Sequence, residues 1–140
     1  MNIKILEDTD NIQDYIDCIK DLNNINIPTT SIEEIVKNIN ERPDNIITFI
    51  LVEDKRIVAT STIIMEKKLR YKQLCCHIED VGVHPHCRGK GYGKKIVKYC
   101  IKVAQINNCY KVKLNCNDNL IQFYFKLGFV EDGKYMVAKF

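Results

Sequence analysis

Two carboxylates stand side by side at Glu79 and Asp80 inside the otherwise apolar stretch His77-Ile78-Glu79-Asp80-Val81-Gly82-Val83. Strand alternation should bury one of them, and a buried carboxylate needs a partner or a task such as accepting a proton. A few residues on, Cys87-Arg88-Gly89-Lys90-Gly91-Tyr92-Gly93 places three glycines within five residues, between a strand-like and a helix-like segment. Such a loop can turn several main-chain N–H groups toward one anion. The helix dipole adds to the attraction, so phosphate is the natural ligand. Two familiar phosphate loops are excluded: there is no Gly-x-x-x-x-Gly-Lys-Ser/Thr, and no Gly-x-Gly-x-x-Gly with an acidic residue about 20 positions later. Near the C-terminus, Tyr124 lies in Phe123-Tyr124-Phe125-Lys126-Leu127-Gly128-Phe129, where the glycine suits a helix C-cap. Its hydroxyl, ordinarily of pKa about 10, is either the outer end of a core aromatic or a proton donor.

These groups have to be positioned by a readable series of elements. Residues 2–6 suggest an opening strand, and 10–22 place Ile12, Tyr15, Ile16 and Ile19 at helical spacing. Pro28 breaks the chain, and Ser31-Ile32-Glu33-Glu34 is a capping-box signature that starts a short helix through Ile39. Residues 46–52 and 56–65, rich in β-branched side chains, read as a hairpin around Glu53-Asp54-Lys55. A polar loop over 66–73 precedes a strand over 74–83. Beyond the glycine loop, Ile96, Val97, Cys100, Ile101 and Ala104 form an apolar stripe opposite Lys94, Lys95, Lys98 and Lys102, which read as a solvated helix face. A strand over 110–116, a short helix over 119–127 and one or two closing strands over 129–140 complete the order. The pattern predicts an α/β (α+β) domain around one mixed sheet. Gly82 within a strand implies a bulge or a close backbone approach, by a ligand arm or by neighbouring packing.

The 140 residues fit one domain, 1–140, with 46% hydrophobic residues. A net charge of +3 is too mild for an obligate nucleic-acid binder, though it suits an anionic ligand. No run approaches a membrane span and the first residues lack a signal peptide's apolar segment, so a cytoplasmic protein is expected. Seven cysteines without Cys-x-x-Cys spacing read as reduced, mostly buried thiols. The cluster of Cys75, Cys76, His77, His84, His86 and Cys87 lacks zinc-finger spacing and would scatter over both strand faces, so no metal is expected.

The segment Arg88 to Gly93, with Phe123 to Phe129 in the same order and spacing, resembles the GNAT superfamily of acetyltransferases. The resemblance narrows through His77-Ile78-Glu79-Asp80-Val81, Asn108-Cys109-Tyr110-Lys111-Val112, Leu114 with Cys116, and Tyr135-Met136, which are similar to the glucosamine 6-phosphate N-acetyltransferases. It implies a GNAT fold with one mixed, mostly antiparallel central sheet and about four flanking helices. Acetyl-CoA would be the co-substrate, held by main-chain groups of Val81 and Val83 and at its pyrophosphate by Arg88, Gly89, Lys90, Gly91, Tyr92 and Gly93, with Tyr124 and Lys126 also on the cofactor side. The acceptor implied is the 2-amine of glucosamine 6-phosphate, a step toward UDP-N-acetylglucosamine. Glu79 and Asp80 would face the amino sugar. Lys68, Leu69, Arg70, Tyr71, Tyr110, Lys111 and Lys139 would surround its phosphate, with Asn23 near the sugar. The main-chain carbonyl of Asn115 would hold the amine. The family's dimers share C-terminal strands between sites, which implies a homodimer. Lys139 stands where an Arg is usual, which removes bidentate phosphate recognition there.

The chemistry implied is direct transfer in a ternary complex. Glu79 or Asp80 takes the amine's proton, N–H groups near Val81 stabilise developing negative charge, and Tyr124 protonates the departing thiolate. An acetyl group trapped on Cys116 in the absence of amine would overturn that choice. Two other readings share part of the pattern: acetylation of another small amine or a protein amine, and a non-catalytic acyl-CoA-binding module. The retention of Glu79, Asp80 and Tyr124 together argues against the second.

Overall fold

The computed structural model describes residues 2–22 and 30–140. Five strands, β1 (Asn2–Ile5), β2 (Ile46–Glu53), β3 (Arg56–Lys67), β4 (Leu74–Val83) and β5 (Lys111–Leu114), form one sheet in the order β1-β2-β3-β4-β5. All neighbours are antiparallel except β4 and β5, which run parallel. The helices are α1 (Ile12–Ile19), α2 (Ile32–Glu41), α3 (Tyr92–Ile106) and α4 (Ile121–Phe125). The pattern of β-branched runs and helical stripes predicts one mixed sheet, and its mostly antiparallel order is the one the family resemblance implies.

Local chemistry accounts for most boundaries. The Asn11 side chain caps α1 by accepting from Asp14 N–H, and Ser31 caps α2 by accepting from Glu34 N–H at 3.1 Å. Asp54 and Lys55 both take positive φ, 49° and 64°, in the two-residue turn that closes the β2–β3 hairpin. The α3 stripe of Ile96, Val97, Cys100 and Ala104 buries against Phe49, Ala59, Ile63 and Ile78 on one face of the sheet. Its lysines 94, 95, 98 and 102 are exposed, as the helical pattern predicts. On the other face, Leu6, Ile12, Cys18, Ile35, Ile50 and Ile57 form a second cluster beneath α1 and α2.

Two expectations are corrected. The strand predicted over 110–116 pairs only over Lys111–Leu114, and no strand forms over 129–140. That last stretch leaves Val130, Tyr135, Met136, Val137 and Phe140 exposed. Its β-prone residues pair with no strand among the described residues, and a strand needs a partner to satisfy its backbone.

Gly82 is explained by packing rather than by a ligand. A Cβ there would lie 2.2 Å from the Cys18 carbonyl oxygen and 2.9 Å from its carbon, so α1 rests directly on the β4 backbone. Beside this contact, Arg56 reaches Asp14 at 3.2 Å and His84 at 3.3 Å, while Asp17 lies 3.6 Å from His84. The guanidinium supplies the positive charge among these three potential metal ligands and ties α1 to the start of β3 and the end of β4. No helix among the described residues is long and apolar enough to cross a membrane.

Candidate active site

The parallel ladder of β4 and β5 ends at the pair Ile78–Leu114. Past that point, among the described residues, no strand covers that side of β4. A cleft of about 280 Å³ opens where the two strands part. Its walls come from Ile78, Glu79, Asp80 and Val81 on one side and from Leu114, Asn115, Cys116 and Asn117 on the other. Leu22, Leu120, Tyr124 and Tyr135 close its ends.

Simple alternation would send Glu79 and Asp80 to opposite faces. Both line the cleft because β4 carries a bulge there. Thr62 pairs with Glu79 and Thr60 with Gly82, so Ser61 alone stands opposite Asp80 and Val81. Asp80 takes the bulge's left-handed position at φ 50°, a conformation that aspartate tolerates better than most residues. The expectation that one carboxylate would be buried is therefore corrected: Glu79 is half-buried and Asp80 keeps solvent access at the cleft mouth. Burial of its inner side still pushes the Asp80 carboxyl above the usual aspartate range. Asp80 also helps raise the pKa of Tyr15, on α1, to about 12, behind the larger effect of that tyrosine's own burial.

This strain and desolvation lead to a prediction. Asp80→Asn should raise the melting temperature near neutral pH, because ionisation of Asp80 costs the folded state more than the unfolded chain. The native pKa lies above the unfolded one, so the penalty exists at higher pH and disappears as pH falls through the ordinary aspartate range. Equal melting temperatures for the two proteins near pH 7 would show that Asp80 carries no such penalty.

Tyr124, in α4, is 6% exposed and sits edge-on to Phe123 and Phe129, with centroids 4.9 and 5.7 Å away. Burial, with a smaller effect of Cys116, pushes its hydroxyl up to about 12, so it is protonated near neutral pH. The cleft thus sets two carboxylates on the β4 wall and a protonated phenol at its end.

The glycine loop follows β4 after a short 3₁₀ turn over Pro85–Cys87, which the His84 side chain caps by accepting from His86 N–H. Gly91 is the N-cap of α3 at φ 83° and has no side chain to cap it. The first-turn N–H groups of α3 are then available to an anion. No acidic residue lies in that turn, while Lys94 and Lys95 follow closely, an arrangement the helix dipole disfavours unless negative charge arrives. Gly89 takes φ 79° and Lys90 is exposed. The residues present therefore fit a pyrophosphate.

Two members of the predicted anion loop are placed differently. The Tyr92 side chain is 8% exposed and belongs to the core, so only its main chain can serve a ligand. Arg88 donates to Asp21 at 2.6 Å and to the Val83 carbonyl at 3.4 Å, which ties the loop to the turn after α1. Lys126, at the end of α4, is exposed and does not line the cleft.

The predicted phosphate-binding residues gather elsewhere. Tyr71 and Tyr110 stack with centroids 4.7 Å apart, Arg70 lies 5.0 Å over Tyr71 and Lys111 5.8 Å over Tyr110. Lys68 pairs with Glu66 at 3.0 Å, and Leu69 is fully exposed. Lys111 lies opposite Cys75, four residues along β4 from Glu79, a separation of roughly 13 Å at about 3.3 Å per strand residue. Within one chain this cluster does not reach the carboxylates. Lys139 lies in the exposed C-terminal stretch. The predicted sugar contact Asn23 lies outside the described residues. Leu22, Asn117 and Tyr135 line the cleft without having been predicted; Tyr135 is 70% exposed, and nothing in its local pattern marks it apart from other surface aromatics.

Residues 13–129 match the family model described as the acetyltransferase (GNAT) family. The chain is 43% identical over 83 residues to a glucosamine 6-phosphate N-acetyltransferase of Schizosaccharomyces pombe, covering 59% of this chain and 75% of that protein. It is 41% identical over 88 residues to the protein of the same name from Candida albicans, covering 60% of this chain and 57% of the relative. The chain spans little more than half the length of several curated relatives it matches. The crystal structure of glucosamine-6-phosphate N-acetyltransferase from Arabidopsis thaliana superposes with a TM-score of 0.84 at 29% identity, covering 99% of this chain and 97% of the other.

Proposed function

Since this chain belongs to the GNAT acetyltransferase family, whose members use acetyl-CoA, we propose that it acetylates the 2-amine of glucosamine 6-phosphate to give N-acetylglucosamine 6-phosphate. The observation that carries the reading is the joint placement of Glu79, Asp80 and Tyr124 on one cleft at the point where β4 and β5 separate. The acceptor is supported by the names of the relatives, and by the paired carboxylates that suit a cationic amine.

Acetyl-CoA supplies an acyl group already activated as a thioester. The unpaired side of β4 offers main-chain groups at Val81 and Val83 to a thin amide-bearing arm, and the α3 N-terminus takes the pyrophosphate. An ammonium cannot attack, so Glu79 or Asp80 first removes a proton from the amine, directly or through water. Main-chain N–H groups at the bulge lie where negative charge develops on the acyl oxygen. The Tyr124 hydroxyl then gives its proton to the departing sulfur. The Asn115 carbonyl, on the opposite wall, completes the amine's surroundings.

Gly91→Ala tests the cofactor end. A Cβ at φ 83° costs about 1–2 kcal/mol of strain, and relief of that strain displaces the N–H groups that hold the anion. The affinity for acetyl-CoA should fall roughly tenfold by calorimetric titration. An unchanged Kd would place the pyrophosphate elsewhere.

The exposed apolar residues from Val130 to Phe140 support a homodimer in which each C-terminal stretch pairs with the other copy. A partner's stretch would also bring Lys139 toward a site that its own chain does not serve. Seven cysteines, all unbridged, suit the cytoplasm.

The deciding experiment incubates the protein with acetyl-CoA and glucosamine 6-phosphate, glucosamine, or a panel of small and peptide amines, and reads products by mass spectrometry. Strong preference for the phosphorylated sugar is the expected result. Acetylation of a different amine would keep the cofactor reading and discard the acceptor. The separation of the Tyr71–Tyr110 cluster from Glu79 favours including those other amines.

A further inference from the structure

On the face of β4 opposite the buried Ile78, His77 and Glu79 are neighbours at i and i+2. His77 Nε2 lies 3.2 Å from Glu79 Oε1, and its Nδ1 lies 3.6 Å from Glu66 Oε1 on β3. Glu66 is in turn held by Lys113 of β5 at 3.3 Å and by Lys68 at 3.0 Å. Three strands and the β3–β4 loop thus contribute to one charged row that ends at the cleft. His77 itself does not line the cleft; it stands behind Glu79.

We propose that His77 is a positioning residue that acts through Glu79, accepting the proton Glu79 collects and carrying it away from the filled cleft. The inference rests on the amine acetylation proposed above. Its physical basis is the solvent route. Glu79 now reaches water through the cleft, with its side chain 43% exposed. The acceptor and the cofactor arm would cover that side during turnover. On the side away from the cleft the contact is the His77 ring, whose side chain keeps 17% exposure.

The proton balance is simple. The two lysines hold Glu66 below the usual carboxylate range, chiefly through the hydrogen bond from Lys68, so Glu66 stays ionised and acts as an acceptor. In the relay the neutral ring carries its proton on Nδ1, on the Glu66 side, so that the Nε2 lone pair can accept from Glu79 once Glu79 is protonated. When Glu79 has taken a proton from the ammonium, its O–H faces that lone pair. The proton moves to Nε2, Glu79 returns to the carboxylate, and the imidazolium sits between two carboxylates. The Nε2 proton then passes to solvent water, which leaves the neutral ring with Nδ1–H on the Glu66 side and its Nε2 lone pair ready for the next proton. No bond other than those to the transferred proton changes.

The test uses the full chain and has two independent readouts. In the first, His77→Gln should lower kcat about tenfold or more, within the range of assisted proton transfer, and leave the Kd for acetyl-CoA unchanged. Added imidazole should restore several-fold of the lost rate to His77→Ala. A wild-type rate in His77→Gln, or a lack of imidazole rescue in a folded His77→Ala, would overturn the relay. The second readout needs no turnover. The ring-nitrogen NMR signals of His77, assigned by their loss in His77→Gln, should move in both Glu66→Gln and Glu79→Gln. Signals unmoved by either change would overturn the proposal whatever the substrate proves to be. A wild-type protein that leaves glucosamine 6-phosphate unmodified, with the NMR coupling present, would instead discard the acceptor while the His77–Glu79 arrangement stands.

Discussion

Replacing Tyr124 with Phe is expected to lower kcat about a hundredfold, at the lower end of what general acid catalysis contributes, while leaving the affinity for acetyl-CoA near that of the wild type. The substitution removes one oxygen and keeps the ring. The edge-on contacts with Phe123 and Phe129 persist, so α4 stays seated on the core and stability should change little. What is lost is the donor. With its pKa pushed up to about 12, the wild-type phenol is protonated throughout the ordinary assay range and introduces no pH limb there. The departing thiolate of the Phe variant must take its proton from whatever water the bound substrates leave in the cleft. Steady-state rates, together with the calorimetric Kd, separate this from a binding defect. A Phe variant as fast as wild type would take Tyr124 out of the chemistry and return it to the role of a core aromatic.

Gly82→Ala carries the largest expected cost in stability. The added methyl meets main-chain atoms of α1, the Cys18 oxygen at 2.2 Å and carbon at 2.9 Å, with Ile19 Cα at 3.6 Å. Backbone cannot step aside as a side-chain tip can, so α1 must move as a unit. That helix is tied down by the Cys18 thiol's contact with the Ile57 carbonyl at 3.7 Å and by Asp14, which accepts from Arg56 and from the Ile57 N–H. The shift disturbs all three. A loss of about 3 kcal/mol is expected, at the upper end for overpacked interiors. This corresponds to roughly 10 °C in melting temperature for a chain of this size. Urea unfolding checks it: the midpoint should fall with the slope unchanged. An Ala variant with the wild-type midpoint would mean that α1 does not bear on β4 as closely as described.

Much of the architecture was legible in the residues because it rests on local rules. The stripe of Ile96, Val97, Cys100 and Ala104, the Ser31 cap and the β-branched runs around Asp54-Lys55 each specify an element through periodicity, capping or turn chemistry over a few positions. The backbone of the loop proposed to hold the anion was legible for the same reason: Gly91 and its neighbours set the conformation of one short segment. The carboxylate pair and Tyr124 were visible as candidates by residue type.

Their convergence was not. Whether Glu79 and Asp80 share a face depends on one unpaired position, Ser61 against Asp80 and Val81; Gly82 pointed to a bulge or a close approach, but not to which side chains a bulge would turn. The cleft exists because β5 leaves β4 after Leu114, a decision made by how the following turn and α4 pack. Tertiary structure also reassigned individual residues. Tyr92 went to the core, Arg88 to Asp21, and Gly82 to the underside of α1, each through a contact with a segment distant in sequence. The C-terminal stretch shows the same division from the other side. Its β-prone residues announce a strand, but a strand is completed only by pairing, and this stretch pairs with no strand among the described residues. By itself the sequence determined most of the elements and the chemical groups they carry, because those depend mainly on neighbours along the chain. Only the tertiary structure decided which groups meet, because that depends on register, packing and the point at which two strands part.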